Sequence, residues 1–100
     1  MITVQKKGYR DTFSMIYDIL DICHDEEINK SKVGLKTKLG HDITTVFIER
    51  LLILGYLECF DSGLERGGGK IFYYKTTQKG FEFKNAIEDW VLLQKKMNNL

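Results

Sequence analysis

The order of hydrophobic periodicities in this chain of 100 residues predicts an α+β, mainly helical fold: three helices, a two-stranded hairpin and a long last helix. Three observations carry this. Apolar residues recur at helical spacing in three successive segments up to Leu54. The period then switches to that of strands on either side of a glycine-rich stretch. From Phe83 onward an apolar seam steps by three and four residues to Leu100.

In the first segment Phe13, Ile16, Tyr17, Leu20 and Cys23 fall on one helical face, while Asp18 and Asp21 lie off it. His24-Asp25-Glu26-Glu27 ends that helix in polar residues. Asn29 or Ser31 can cap a short second helix running to about Lys38, with Val33, Leu35 and Leu39 as its apolar contacts. Gly34 is a weak point there, costing about 1 kcal/mol relative to alanine. Gly40-His41 breaks the chain, and Asp42 is placed to cap a third helix from Ile43 to Leu54. Phe47, Leu51 and Leu54 define its buried side, flanked by Ile43, Ile48 and Leu52. Gly55 stops it.

Tyr56 to Asp61 and Ile71 to Thr76 read as two strands joined by a long, mobile tip, Ser62 to Lys70. Thr77 caps the last helix, Gln78 to about Asn98. Its seam, Phe83, Ala86, Trp90, Leu93, Met97 and Leu100, is a strict a/d repeat, with Ile87, Val91 and Leu92 beside it. A domain of this size has little core left to cover such a surface, so the helix is expected to pair with a second copy, although folding back on its own domain is the other solution.

Composition bounds the function. With 43% hydrophobic, 29% charged and 12% aromatic residues, the chain reads as a soluble domain able to hold one modest core without metal or disulfides. No run of about 20 apolar residues is present, which excludes a transmembrane helix. Met1 to Lys7 carries no secretory signal. Cys23 and Cys59 lack CxxC spacing and sit in apolar patterns, so both are expected to be reduced and core-facing in a cytoplasmic protein. Cys23, His24, His41 and Cys59 have no zinc-finger spacing, and no metal or cofactor is expected. Gly67-Gly68-Gly69-Lys70 is followed by Ile71 rather than Ser or Thr and is no phosphate-cradling nucleotide loop. No triad or carboxylate pair suggests an enzyme.

The formal net charge of +1 hides a segregation. Lys6, Lys7 and Arg10 are basic, residues 11–27 carry six acidic groups, and Lys30, Lys32, Lys36 and Lys38 cluster against Asp42 alone. Arg66, Lys70, Lys75 and Lys79 outnumber Glu65. Such a molecule can present a polyanion-binding side despite near neutrality, or simply a solvated surface.

Helix, helix, helix, strand, strand, helix, with a tight break before the third helix, is the winged helix-turn-helix order, in which the third helix meets the DNA major groove and the hairpin is the wing. Lys30, Ser31, Lys32, Lys36 and Lys38 are then expected at backbone phosphates. His41, Asp42, Thr44 and Thr45 begin the third helix, where base edges are read; Thr44 can instead turn into the core and Asp42 can serve only as a cap. Arg66 and Lys70 flank the three glycines and can insert at a groove. The boundaries are an arm at residues 1–8, a winged-helix domain at 9–77 and a dimerisation helix at 78–100.

Particular stretches also resemble a family. Ser31-Lys32-Val33, Leu39, Phe47-Ile48 through Leu51-Leu52, and Gly55-Tyr56-Leu57-Glu58 are similar to the small archaeal winged-helix DNA-binding proteins and transcriptional regulators. So is Tyr74-Lys75-Thr76-Thr77-Gln78-Lys79-Gly80-Phe81-Glu82-Phe83, which resembles their Tyr-x-Thr-Thr-x-Lys-Gly-x-x-Phe signature. The resemblance covers roughly residues 9–100 and implies a homodimer joined by an antiparallel coiled coil, two lobes on double-stranded DNA, and no catalysis. It departs from the family in the third helix, where Thr45, Val46 and Glu49 stand in place of lysines, and at Gly34. The competing function is a protein-docking module that keeps the fold without a DNA surface.

Overall fold

The computed structural model describes residues 12–98. The arm residues Lys6, Lys7 and Arg10, and Leu100 of the seam, lie outside the described residues. The element order is α1 (Thr12–Asp25), β1 (Ile28–Asn29), α2 (Lys30–Thr37), α3 (His41–Ile53), β2 (Leu57–Arg66), β3 (Gly69–Thr76) and α4 (Gln78–Asn98). The strands form one antiparallel sheet in the order β1-β3-β2. The predicted hairpin is thus the major part of a three-stranded sheet, and the two-residue β1 is too short to leave a period in the sequence.

Ile19, Leu20 and Cys23 of α1, Ile28 of β1, Val33 of α2, Ile48 and Leu51 of α3, and Leu57 of β2 form the buried core, with Phe47, Tyr56, Tyr74 and Phe83 packed around them. Several inner faces are rotated from expectation. On α1 Ile19 is buried and Phe13 is exposed. On α2 Leu35 is 78% exposed, and Thr37 takes the inner position, donating its hydroxyl to the Val33 carbonyl at 2.7 Å. On α3 Thr44, Ile48 and Leu51 face inward, whereas Ile43 and Leu54 are exposed.

The crossing of α2 and α3 explains the rotation. A Cβ on Gly34 would stand 3.1 Å from Thr44 Oγ1 and 3.4 Å from the Leu39 carbonyl, so glycine lets α3 lay its Thr44 side directly on α2. Gly34 is a packing residue and not a fraying point. Two boundary assignments also change. Gly40 is the N-cap of α3, placing Asp42 in the first turn, and the left-handed residue that closes α2 is Lys38, at φ 62°. Gly55 does stop α3: at φ +81° it donates to Leu52, and Tyr56 donates to Leu51, the paired bonds of a Schellman ending.

The wing is not a long loose tip. Pairing continues to Arg66 opposite Gly69, leaving only Gly67 and Gly68 in the turn, both at positive φ as a tight hairpin of this hand requires. The extra residues are absorbed lower down in a bulge between Asp61 and Glu65. There Ser62 donates its hydroxyl to the Ile71 carbonyl at 2.7 Å and accepts from Leu64 N, while Asp61 accepts from Gly63 N.

The segment Thr76-Thr77-Gln78-Lys79-Gly80 locks the elements together. Thr76 donates its hydroxyl to the Leu20 carbonyl of α1, and Thr77 donates to the Gly55 carbonyl while accepting from Gly80 N as the cap of α4. Lys79 reaches back to the Leu54 carbonyl at 3.0 Å and lies over the Tyr56 ring. Gly80 is packed so tightly that a Cβ there would collide with the Tyr56 carbonyl and lie 3.0 Å from Thr76 Cγ2. Further along, Lys84 is buried between α1 and α4, with Nζ 3.5 Å from Asp21 and over the rings of Tyr17 and Phe81.

Gly80→Ala is expected to destabilise the fold by about 2–3 kcal/mol, lowering Tm by roughly 10–20 °C in a scanning calorimeter, because backbone rather than a flexible side chain must give way. The cysteines differ from expectation: Cys23 is buried, but Cys59 is exposed on β2. Burial pushes the Cys23 thiol up to about 12, which keeps it protonated at neutral pH. A thiol reagent counted by absorbance should therefore titrate Cys59 in the native protein and Cys23 only after denaturation.

Candidate nucleic-acid interface

The pairing of β1 with β3 sets Ile28 opposite Tyr74 and Asn29 opposite Tyr73. That register carries the start of α2 onto the face of the wing. Asn29 caps α2, its Oδ1 accepting from Lys32 N at 2.9 Å, so the first open turn of the helix is ordered where it meets the sheet. Between the two lies a hollow of about 290 Å³ lined by Asn29, Lys30, Ser31, Arg66, Lys70, Ile71, Phe72 and Tyr74.

Four residues that the sequence placed in two separate basic blocks, Lys30, Ser31, Arg66 and Lys70, thus share one concave surface. Three of them are cations, and Lys70 alone is paired within the wing, with Asp61 at 3.4 Å. The N-terminal turn of α2 adds the positive end of its dipole and a hydroxyl at Ser31. Burial, followed by its neighbour Cys59, raises the Tyr74 hydroxyl above its ordinary range, so at neutral pH it remains a neutral phenol. The hollow gathers three cations, the Ser31 hydroxyl and a helix end with no carboxylate in its lining, a set whose chemistry suits an oxyanion.

The other lysines do not join it. Lys36 Nζ is 3.1 Å from Glu26, an ion pair on the exposed surface. Lys38 is held at the left-handed end of α2, and Lys32 stands exposed on that helix.

On α3, His41 and Asp42 are exposed in the first turn. Thr44 is corrected: it is 1% exposed and faces Gly34, so it has no route to a ligand. Thr45 is half-buried and its hydroxyl is covered by protein atoms, which withdraws that group too. The solvent side of α3 is instead made by Asp42, Ile43, Val46, Glu49 and Arg50, continuing to Ile53. A helical face centred on Phe47, Leu51 and Leu54 turns Ile43 and Arg50 toward the inside and hides them as surface residues. Centring it on Ile48 and Leu51 would have turned Thr44 inward and both of these residues outward. Asn29 lies on a two-residue strand that leaves no period in the sequence, and only its pairing with β3 brings Phe72 and Tyr74 to the same hollow.

The predicted seam of α4 divides. Phe83 stacks on Tyr56 at 4.6 Å and belongs to the domain's own core, while the buried residue one turn on is Ile87 rather than Ala86. Beyond it Trp90, Val91, Leu92, Leu93 and Met97 are all exposed, with Trp90 at 52% and Met97 at 60%. Two hollows run beside this apolar stretch, one of about 360 Å³ between Phe13, Phe83, Ala86, Ile87 and Trp90, the other of about 460 Å³ reaching from Tyr17 to Lys95.

Among the described residues, no three His, Cys, Asp or Glu side chains converge as metal ligands, and no helix is long and apolar enough to cross a membrane.

Comparison with known proteins follows the same lines. The family model described as winged helix-turn-helix matches residues 9–95. Among curated proteins no match is found. Similar solved structures include Sso10a-2, a DNA-binding protein from Sulfolobus solfataricus, 20% identical with a TM-score of 0.73, covering 90% of this chain and 87% of that one. A PadR-like transcriptional regulator from Bacillus cereus is 22% identical, with a TM-score of 0.69 and coverage of 85% and 88%. FabT of Streptococcus pneumoniae, solved in complex with DNA, is 17% identical, with a TM-score of 0.63, covering 94% of this chain and 67% of that one. At these identities the likeness is one of fold. The family match runs from before α1 into the last turns of α4, and the protein belongs to the winged helix-turn-helix family.

Proposed function

We propose that this protein binds double-stranded DNA as a homodimeric transcriptional regulator or chromatin-associated protein, with α3 in the major groove and the hollow between α2 and the wing on the sugar-phosphate backbone. The observation that carries the reading is the convergence of Lys30, Ser31, Arg66 and Lys70 on one surface next to a capped helix N-terminus. A groove of that make suits a phosphate, and a helix presented beside it suits base edges. The DNA-binding and regulatory relatives by fold, including one solved on DNA, support it.

Phosphate contacts release counterions, so affinity should fall steeply with salt. By fluorescence anisotropy with labelled random duplex, replacing Lys30, Arg66 and Lys70 together by Gln is expected to flatten the slope of log K against log salt by about 3 per lobe, roughly one per phosphate contact. Lys36→Gln should leave the slope unchanged, since that side chain lies outside the hollow, against Glu26. An unaltered slope in the triple variant would place the DNA surface elsewhere. No binding at low salt would favour the protein-docking reading, to which the exposed apolar residues of α3 lend support.

The second half of α4 supports a dimer. A helix of 21 residues is about 32 Å long, and the exposed stretch from Trp90 to Met97 offers apolar surface of the spacing that pairs with a like helix. An antiparallel pair would hold two lobes apart, and their separation would set the spacing of half-sites. Light scattering on the wild type should give about twice the chain mass of 11.7 kDa. Trp90→Glu or Leu93→Glu should give a folded monomer with weaker DNA binding. A wild type that is already monomeric at micromolar concentration removes the dimer from the proposal.

A further inference from the structure

The solvent side of α3 is short of the groups that normally read bases. Ile43, Val46, Arg50 and Ile53 follow one another at spacings of three, four and three, which puts them along one strip of the helix. Ile43 is 47% exposed, Val46 is 43% exposed and Ile53 is 84% exposed, each turned away from the core residues Thr44, Ile48 and Leu51. The lysine-rich outward face is missing, and the carboxylates Asp42 and Glu49 flank the strip instead. Apart from Arg50, the cations of the candidate surface sit off this helix, at the start of α2 and on the wing.

The elements that α3 packs against, α2 and β2, carry Lys30, Lys32 and Arg66, with Lys70 on the paired β3, so an apolar strip on this helix is matched to one occupant by charge and by chemistry. The cations suit a polyanion. Within a polyanion, the apolar groups a major groove displays are the C5-methyl groups of thymine. A bare β-branched side chain gains nothing from the carbonyls and amino groups of the other base edges and desolvates them at a cost, so it discriminates toward the methyl.

Resting on the DNA reading above, we infer that Ile43 and Val46 are specificity-determining residues that read thymine methyl groups, so the preferred sites are thymine-rich in the major groove contacted by α3. Arg50, on the same strip, is the hydrogen-bonding partner for a guanine beside them. Glu49 repels phosphate and keeps the helix from sliding onto the backbone, where unspecific binding would compete.

The test is chemical replacement of the methyl. Duplexes selected from a random pool by the wild type are resynthesised with deoxyuridine for thymidine, which removes each methyl and leaves every hydrogen-bonding group in place. Losing one buried methyl contact is expected to weaken binding about fourfold, so two contacts per lobe give about a 15-fold loss. The double variant Ile43→Ser/Val46→Ser, at exposed positions where Ser, Ile and Val have similar helix propensity, should bind the two duplexes alike while retaining salt-sensitive binding to random DNA, and each single variant should keep about a fourfold difference. Helical circular dichroism confirms that each variant is folded. Equal affinity of the wild type for thymine and uracil duplexes overturns the inference and leaves the DNA reading standing. So does an undiminished thymine preference in the double serine variant, because the methyls are then sensed by other residues. Failure to bind any duplex at low salt overturns the DNA reading itself, and with it this one.

Discussion

The close approach of Gly80 to the Tyr56 carbonyl is the constraint on which the arrangement of elements depends. At that point the end of α3, the start of β2, the end of β3 and the start of α4 meet within a few ångströms. Thr77 bonds to Gly55 and caps α4, Lys79 satisfies an open carbonyl at the end of α3, and Thr76 fixes β3 to α1. Each of these hydrogen bonds is worth only about 1 kcal/mol. Together they determine an angle, because a helix capped by a residue that is itself bonded to the preceding helix end has no freedom to swing. A side chain at position 80 would push α4 away and break the set. The Tyr-x-Thr-Thr-x-Lys-Gly signature is therefore structural, and it aims α3 and α4 relative to the sheet.

From that junction the candidate surface follows in two steps. With β3 fixed at its lower end, its pairing with β1 fixes where α2 begins, and its pairing with β2 carries Arg66 and Lys70 outward. The bulge at Ser62–Leu64 takes up surplus length in β2 while keeping the strands joined through the Ser62–Ile71 bond, so the tip arrives as a stiff ribbon. A stiff wing matters to affinity, because a cation on a disordered loop must lose its freedom on binding and one on a paired strand has already lost it.

Much of this was legible in the chain, and the parts that were not share a cause. The long elements announced themselves through repeated spacing: α1, α3 and α4 over three or more turns, and the hairpin by its alternation. The stop at Gly55 and the cap at Thr77 were readable because their chemistry is local. What the sequence hid was set by contact between elements. Thr44 has the look of a surface residue until Gly34, ten positions away, opens a space for it. Leu35 has the look of a core residue, but α2 is only eight residues long and Thr37 takes the inner position through a bond to its own helix. Ile28 and Asn29 form a strand only because β3 is there to pair with. In the candidate site the lysine and arginine blocks were visible, but nothing in their spacing revealed that Lys30 shares a surface with Arg66 while Lys36 turns to Glu26.

The distribution of charge gives the near-neutral composition a physical sense. A recognition helix studded with lysines attracts any DNA, and its affinity for the backbone competes with its reading of bases. Here most of the cations stand on α2 and the wing, and on the proposed reading they would orient the molecule at the backbone, leaving Arg50 as the cation of α3. The outer side of α3 carries mainly apolar and acidic groups beside Arg50, and under the proposal these would gain little from a wrong sequence. Such a division lowers binding to random DNA more than binding to a matched site, so the ratio between them rises even as absolute affinity falls. A second copy joined through α4 would restore the lost affinity by making the second lobe's encounter intramolecular. On this logic the sparse recognition helix, the basic rim and the exposed apolar stretch of α4 are parts of one solution, in which selectivity comes from each lobe and strength from the pair.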